Sequence, residues 1–551
     1  MIYLELKVSP EIKYLRKRFF KLLRTTNIDP IMGPYFMKIA ISYPPIINQD
    51  GQKAMVSQNR NVQFFKKPTY LLPIIHGQAA TWLRDLGYDI YWDDGNSQLK
   101  SLEKWYQDLL KEKPDIVVFE STTPVMKFYW QLIDKLKSDL PRCIVIMTGY
   151  HSMRKPEETL SNSQTDIVLR SNHIDFALHK LIPYIDEFSD WRSSCSIEGL
   201  MIRSDENDFL DTGNFKQIEP LDLSPDIDRD LVQWNNYAYE NGNFMQTPGT
   251  YATSVIRDCM FGKCTFCRYN GPDVTFSIRS VQKSLDEYQR LIEDYGAREI
   301  FDDSGVWYRG AEAREFAKGI IDRGLHKKDC YFGFNTRFGY FDEETMALLS
   351  KASFRFVLIG LEAADEETLN RLNKGYGLED VENNLRLFTK YGLFPHLTVM
   401  VGYYWQSREQ LKKTVKTVES LMFKGFARTL QVTLCTPLDF TPYHEECIES
   451  GVLLTEDYND FDMSKIIVKT PIPHDEYYAA IRRMYGIAFH PKFIFKQLRF
   501  LVRLKKKDWQ FLFTYGIRAI RRIRQHIFNL TKHQNSQITT PIVLRPSHRR
   551  K

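Results

Sequence analysis

The chain has 551 residues, 43% of them apolar and 26% charged, with a formal net charge of +6. That length holds two or three domains, and the balance is ordinary for a soluble globular protein. Eight cysteines are a sparse count, and the five outside residues 259–267 are scattered without framework spacing, which argues against disulfides; no apolar run reaches the roughly 18 residues of a membrane span.

The opening MIYLELKVSPEIKYLRKRFF is acidic early and lacks an apolar core, so no secretory signal is expected, and the thiols are expected in a reducing, cytoplasmic setting. Residues 1–34 read as an N-terminal extension. Residues 35–189 alternate apolar strands (Lys38–Tyr43, Tyr88–Trp92, Asp115–Phe119, Cys143–Thr148, Asp166–Leu169) with amphipathic stretches such as Gly77–Leu86 and Val125–Leu140. Continuous apolar strands separated by helices predict a Rossmann-like parallel sheet covered on both faces. The strand ends carry Pro44 and Pro45, Asp93-Asp94-Gly95, Ser121-Thr122-Thr123 and Gly149-Tyr150-His151. Each is equally a turn former; together they suggest a ligand crevice at the carboxyl edge.

Residues 190–249, rich in Asp, Asn, Pro and Gly, read as a linker that wraps between domains. A second alternation fills 250–460. Thr250–Ile256, Glu299–Phe301, Tyr331–Phe334, Arg355–Ile359, His396–Val401 and Thr429–Leu434 are strand candidates, each followed by a helical stretch. The predicted fold class is therefore α/β: a Rossmann-like domain, a partial (β/α)6 TIM-type barrel and a C-terminal helical extension.

The first barrel strand is followed by Arg257-Asp-Cys-Met-Phe-Gly-Lys-Cys-Thr-Phe-Cys-Arg268, a C-x4-C-x2-C loop with no fourth partner close by. Cys259, Cys264 and Cys267 suit three irons of a [4Fe–4S] cluster, leaving one iron open. A zinc site completed by a distant His396 or Cys330 is the alternative. The other strand ends offer Asp302-Asp303-Ser304-Gly305, Asn335 and Arg337, Glu362, and Gly402. Each carboxylate alone reads equally as a loop residue or helix cap. Jointly they suit a zwitterionic amino acid, its ammonium on Asp302 or Asp303 and its carboxylate on Arg337.

The cysteine loop, with Phe266 before its last cysteine, resembles the signature of the radical S-adenosylmethionine (SAM) superfamily, and four residues rather than three separate its first two cysteines. The stretches Arg298–Gly305 and Gly360–Gly375 are similar to the superfamily's cobalamin-binding branch, as is the strand before Gly402. Asp115–Pro124 and Cys143–His151 are similar to that branch's cobalamin module. The resemblance spans about residues 35–460. It implies a [4Fe–4S] cluster on Cys259, Cys264 and Cys267. It further implies SAM chelated by the open iron and cleaved reductively to a 5′-deoxyadenosyl radical. Phe266, Asp302, Asp303, Ser304, Asn335, Arg337, Glu362 and Gly402 are the implied SAM residues. Cobalamin would lie near Pro44, Pro45, Ser121, Thr122, Thr123, Gly149, Tyr150 and His151. The Asp-x-His-x-x-Gly motif that gives cobalt a histidine in many cobalamin proteins is absent, so cobalamin is expected without one, or the domain is a relic. The implied reaction is methylation of an unactivated carbon. The rivals are a radical cyclisation, rearrangement or oxidation, and a non-catalytic electron-transfer or sensor protein. Partners implied are a small-molecule substrate, a lipid or natural-product intermediate among the choices, and an external one-electron donor.

Residues 461–533 read as helical and basic: from Lys492 to Arg524 the only acidic residue is Asp508. Packing on the barrel with a solvated basic face is one reading; contact with the inner face of an anionic membrane is the other. Nucleic acid is not expected, since no recognition fold accompanies the charge. Residues 534–551 are expected to be disordered.

Overall fold

Lys38–Tyr43 (β1) is apolar at almost every position, as a strand covered on both faces must be. In a computed structural model of the chain it lies inside a seven-stranded sheet. The structure describes residues 37–501 apart from 57–60, 206–207, 216–219, 240–243 and 272–275, and residues 509 and 517 beyond. The expected N-terminal extension, most of the basic region past 501 and the tail 534–551 lie outside the described residues.

The first sheet is built from β1, Asp89–Asp94 (β4), Ile116–Glu120 (β5), Ile144–Thr148 (β6), Ile167–Leu169 (β7), Leu200–Asp205 (β8) and Asp208–Asp211 (β9). A separate hairpin, Lys53–Val56 (β2) and Val62–Phe65 (β3), follows β1. The sheet order is β4-β1-β5-β6-β7-β8-β9. The first five strands in that order are parallel, so the order reverses at the β1/β5 boundary, where doubly wound sheets leave a crevice. Ile74–Asp85 (α1), Leu102–Glu112 (α2), Met126–Asp139 (α3) and Ile174–Glu187 (α4) cover the faces. Strands β8 and β9 correct the sequence reading, which left 190–249 as linker: they extend the sheet antiparallel from β7.

The second sheet is parallel throughout, in the order Gly249–Ala252 (β10), Glu299–Asp302 (β13), Tyr331–Thr336 (β14), Phe354–Glu362 (β15), Phe394–Val401 (β16) and Thr429–Leu434 (β17). The intervening helices include Val281–Glu293 (α5), Gly310–Asp322 (α6), Glu343–Lys351 (α7), Leu378–Lys390 (α8) and Arg408–Lys424 (α9). Helix α5 carries an apolar stripe at helical spacing, burying Val281, Leu285, Tyr288, Leu291 and Ile292, and Ser280 caps it by accepting from Lys283 N. Helix α9 begins in a reciprocal Ser407–Gln410 capping box. Between helices and sheet, Trp307 stacks on Phe334 at 4.7 Å and meets Phe316 and Phe354 edge-on or tilted. Truncating such a buried ring to alanine costs about 3–5 kcal/mol.

The first barrel strand is shorter than the sequence suggests. It stops at Ala252, because side-chain carboxylates take the following backbone donors. Thr253 N and Oγ1 donate to Glu287 at 3.1 and 2.9 Å, and Val255 N donates to Asp302 at 3.1 Å. The chain then turns, and Ile256–Arg257 (β11) pairs antiparallel with Ser277–Ile278 (β12), closing the base of the cysteine loop.

Candidate functional site

The cysteine loop leaves β11 and sits over the carboxyl ends of the barrel strands. Gly262, at φ +54°, supplies the left-handed turn inside the longer first spacing. Backbone N–H groups of Gly262 and Phe261 point at the Cys259 sulfur and that of Tyr269 at Cys267. Cys267 N donates to the Cys264 carbonyl at 3.1 Å, and Asn270 Nδ2 donates to the same carbonyl at 3.2 Å. All three thiols are partly exposed in the folded chain. Burial pushes each upward; Cys259 raises Cys264 further, and Cys259 and Cys264 both raise Cys267. Three thiols so placed are held neutral until a cation displaces their protons. Among the described residues, no group of three or more His, Cys, Asp or Glu side chains is drawn together to hold a metal ion. Cys330, offered as a distant zinc ligand, is buried in the barrel core. His396 is engaged by Thr429 at 2.6 Å.

The β13 end approaches the loop closely. A Cβ at Gly305 would stand 2.9 Å from the Asp258 carbonyl and 3.1 Å from Cys259 Cβ, so glycine is required there. Of the two predicted carboxylates at this end, Asp302 faces inward and is fully buried. It accepts from Val255 N at 3.1 Å and Ser304 N at 2.9 Å, and burial nevertheless pushes it up to about 6. Ser304 likewise works within the scaffold, its Oγ accepting from Ile256 N at 3.0 Å. Asp303 is the partly exposed member and meets Asn335 Nδ2 at 3.4 Å. Asn335 Nδ2 also donates to the Ser304 carbonyl at 2.9 Å, while its Oδ1 is buried without a hydrogen-bond partner.

Arg337 lies flat on Phe261, its guanidinium carbon 3.4 Å from the ring centroid, and donates to the Lys374 carbonyl. Its expected role as a carboxylate fork is therefore already partly taken by the loop it braces. At the β15 end Glu362, in the left-handed region at φ +57°, accepts from Lys374 Nζ at 3.1 Å, and both residues are buried. Burial works against the Lys374 ammonium, but Glu362 overcomes it and holds the group above its ordinary value. Lys374 Nζ also lies 5.7 Å from the Phe266 and Tyr376 ring centroids. Tyr376 ties the turn by donating to the Gly360 and Leu361 carbonyls at 2.8 and 2.9 Å. Gly402, at φ +92°, makes a turn under Ile466 and donates to Gln406 at 2.9 Å. Nothing joins it to the cysteines. Lys374, Phe261 and Tyr376 were missed. Their signal was their place: Phe261 inside the Cys259–Cys264 spacing, Lys374 at the end of the Gly360–Gly375 stretch and Tyr376 next after it.

At the carboxyl edge of the first sheet, a cavity of about 50 Å3 lies at the β1/β5 switch point, lined by Tyr43, Pro44, Asp94, Glu120, Thr122 and Tyr129 among others. The Thr122 hydroxyl is buried without a hydrogen-bond partner. The other predicted residues here hold the loops together. Pro45 sits against Gly95; a Cβ at Gly95 would come within 2.8 Å of its ring. Ser121 Oγ and Ser152 Oγ are 2.7 Å apart. Thr123 Oγ1 lies 3.1 Å from His151 Nδ1. Gly149, at φ +95°, packs where a Cβ would strike the Ser121 carbonyl. Tyr150 donates to the Arg268 carbonyl at 3.0 Å, which brings this edge onto the cysteine loop.

Residues 253–418 match the family model of the Radical SAM superfamily, a span that holds the cysteine loop and the carboxyl ends of β13, β14, β15 and β16. The chain is 25% identical over 397 residues to an anaerobic magnesium-protoporphyrin IX monomethyl ester cyclase of Cereibacter sphaeroides, covering 71% of this chain and 61% of that protein. It is 24% identical over 425 residues to an uncharacterized methyltransferase of Pyrococcus horikoshii, covering 75% and 86%. Over 414 residues it is 21% identical to a hopanoid C-3 methylase of Methylococcus capsulatus, covering 73% of each. The fold is that of the cobalamin-dependent radical SAM enzyme OxsB, solved with aqua-cobalamin and SAM bound (TM-score 0.62, 14% identity, 91% of this chain and 74% of that one). It is equally that of the radical SAM methyltransferase TsrM from Kitasatospora setae, solved with cobalamin and a [4Fe–4S] cluster bound (TM-score 0.63, 13% identity, 89% and 100%).

Proposed function

We propose that this chain is a cobalamin-dependent radical SAM enzyme that methylates an unactivated carbon. The observation that carries the reading is the three-thiol loop, set at the carboxyl end of a parallel barrel and faced by the carboxyl edge of a doubly wound sheet. Cys259, Cys264 and Cys267 fit a [4Fe–4S] cluster by donor type and by the N–H groups aimed at their sulfurs. When bound, the cluster supplies the electron that cleaves SAM, and methylcobalamin supplies the methyl group.

The chain's own residues bind and orient. Asp303, with Asn335 beside it, is the carboxylate offered to the SAM ammonium. The Glu362–Lys374 pair, beside Phe266, offers an acceptor and a cation to the carboxylate and ribose. Phe266 packs on the barrel core and keeps water from that side. The switch-point crevice fits the cobalamin side in kind, with apolar walls and the unpartnered Thr122 hydroxyl. His151 is committed to Thr123, which supports a cofactor held without a histidine on its metal.

Anaerobically reconstituted protein given SAM and a reductant should make 5′-deoxyadenosine and put label from methyl-labelled SAM into product. Absence of deoxyadenosine would sink the radical reading. Deoxyadenosine without transferred label would favour the second reading, a ring-closing reaction, which the similarity to the cyclases supports.

For the source of the substrate we propose an anionic lipid surface. Helix Pro491–Leu501 (α10) docks on the barrel through buried Phe493, and Gln497 accepts from Arg428 at 3.1 Å. The opposite face leaves Ile494, Phe495 and Leu498 45%, 62% and 54% exposed, flanked by Lys492, Lys496 and Arg499. Apolar side chains framed by cations, in a stretch nearly free of acids, complement anionic headgroups. Among the described residues no helix is long and apolar enough to cross a membrane; the contact proposed is a peripheral one. The similarity to a hopanoid methylase supports a lipid substrate. The protein should pellet with phosphatidylglycerol vesicles at low salt, and Phe495→Glu should abolish this. Equal indifference of the native protein to phosphatidylglycerol and phosphatidylcholine vesicles would overturn the lipid contact.

A further inference from the structure

We infer that the first-sheet domain is part of the housing of the cysteine loop, and that Asp175 is its principal positioning residue. This rests on the cluster reading above and goes beyond it, because the residues that grip the loop, Gln78, Tyr150, Asn172 and Asp175 among them, lie outside the barrel.

Both ends of the loop are gripped from outside the barrel. Arg257, two residues before Cys259, is buried and forks onto Asp175 of α4: Nη1 to Oδ1 at 2.6 Å and Nη2 to Oδ2 at 3.1 Å. Arg257 Nη2 also donates to Gln78 of α1 at 3.1 Å, and Ser224 donates to Asp175 at 2.5 Å. The fork is therefore fixed from three elements. The next residue, Asp258, stands in the left-handed region at φ +63° and accepts from Asn172 Nδ2 at 3.3 Å. Aspartate tolerates this conformation better than most side chains, and the Asn172 contact helps to hold it here.

The far end is held in the same way. Arg268, directly after Cys267, is buried with its guanidinium carbon 4.7 Å from the Tyr150 ring centroid. Tyr150 donates to its carbonyl at 3.0 Å, and Arg268 Nη2 donates to Asn61 at 3.4 Å. A planar guanidinium bound bidentately fixes direction as well as distance. With direction fixed two residues before the first thiol and one residue after the last, the spread of the three sulfurs is set by the first-sheet domain.

Outer partners of metal ligands typically contribute 10–100-fold to metal affinity. The test uses the full chain, reconstituted anaerobically, in three forms: Asp175→Asn, Tyr150→Phe, and the paired Asp175→Leu with Arg257→Met. The paired variant removes the fork and leaves no buried charge, so it keeps the domains packed if Asp175→Asn fails to fold. The readouts are iron content, the rate of iron loss to a chelator, and the electron paramagnetic resonance spectrum of the reduced cluster with and without SAM. Expected are about 10–100-fold faster iron loss from the two fork variants, a smaller increase for Tyr150→Phe, and an altered spectral response to SAM. A native rate and native spectrum in the paired variant overturn the proposal alone. If the native protein itself takes up no iron, the cluster reading falls and this proposal with it.

Discussion

Two adjacent carboxylates at one strand end do opposite work. Asp302 is buried and spends both oxygens on backbone N–H groups, whereas Asp303 stays partly open to the loop. The sequence reading placed both on the ligand, since identity and spacing do not reveal which of two neighbours points inward past a strand end. Asp303→Asn should weaken SAM binding at least tenfold in equilibrium binding to the reconstituted protein, while leaving the melting temperature nearly unchanged. Asp302→Asn should do the reverse. The raised pKa of Asp302, about 6, gives the sign of its pH dependence. The folded state keeps a proton that the unfolded chain loses near pH 4, so stability falls as pH rises through that window. Between pH 5 and pH 7 this contributes a loss of about 1–2 kcal/mol. Denaturant titrations of Asp302→Asn should lack that slope, and at pH 7 the variant should be less stable by about 1–3 kcal/mol, with one N–H left unsatisfied. An unchanged slope would show that Asp302 is not the titrating group.

Elements with a period were legible, and elements made by partners distant in sequence were not. β1 and β17 have the ends read from apolar runs, and α5 buries an apolar stripe spaced as a helix requires. The break after β10 was invisible because it depends on Glu287, far along the chain in α5. Glu287 is buried, accepts from Arg229 at 3.0 Å and lies 3.6 Å from Arg279. Arg229 in turn comes from the segment read as linker and donates to Thr250 at 3.0 Å. A segment chosen for its turn-forming composition thus carries the cation that stabilises the start of the barrel. Glu287→Gln leaves two buried guanidiniums short of a counter-charge and should cost about 3–5 kcal/mol in chemical denaturation. A loss below about 1 kcal/mol would mean that Asp226, which pairs with Arg279 and lies 3.4 Å from Arg290, carries the balance.

At the scale of the molecule, the two sheets belong to one compact unit, and contacts between residues a hundred or more apart hold the seam. Asn61 donates to the Phe461 carbonyl at 2.9 Å, and Lys155 Nζ lies 2.6 Å from the Tyr458 hydroxyl. The parallel pairing of the barrel sheet and of the first five strands of the other sheet, and the rim position of the cysteines, followed from alternation alone; which edge of one sheet meets which loop of the other did not. A ligand that binds only the native state stabilises it by mass action. Cobalamin added to the ligand-free protein should therefore raise its melting temperature by several degrees, and Thr122→Leu, which fills the switch-point cavity, should remove the increase. A shift that survives Thr122→Leu would place the ligand elsewhere.

The fork between Arg257 and Asp175 also sets an order of events during synthesis. Tyr150, Asn172 and Asp175 all precede Cys259, the first cysteine of the loop, and domains fold N-terminal part first as they leave the ribosome. The wall that receives the loop is thus already standing when Cys259, Cys264 and Cys267 emerge. Their thiols come to rest against a finished surface instead of waiting in solution for the barrel that follows, which shortens the interval in which oxidation or a stray soft metal can claim them.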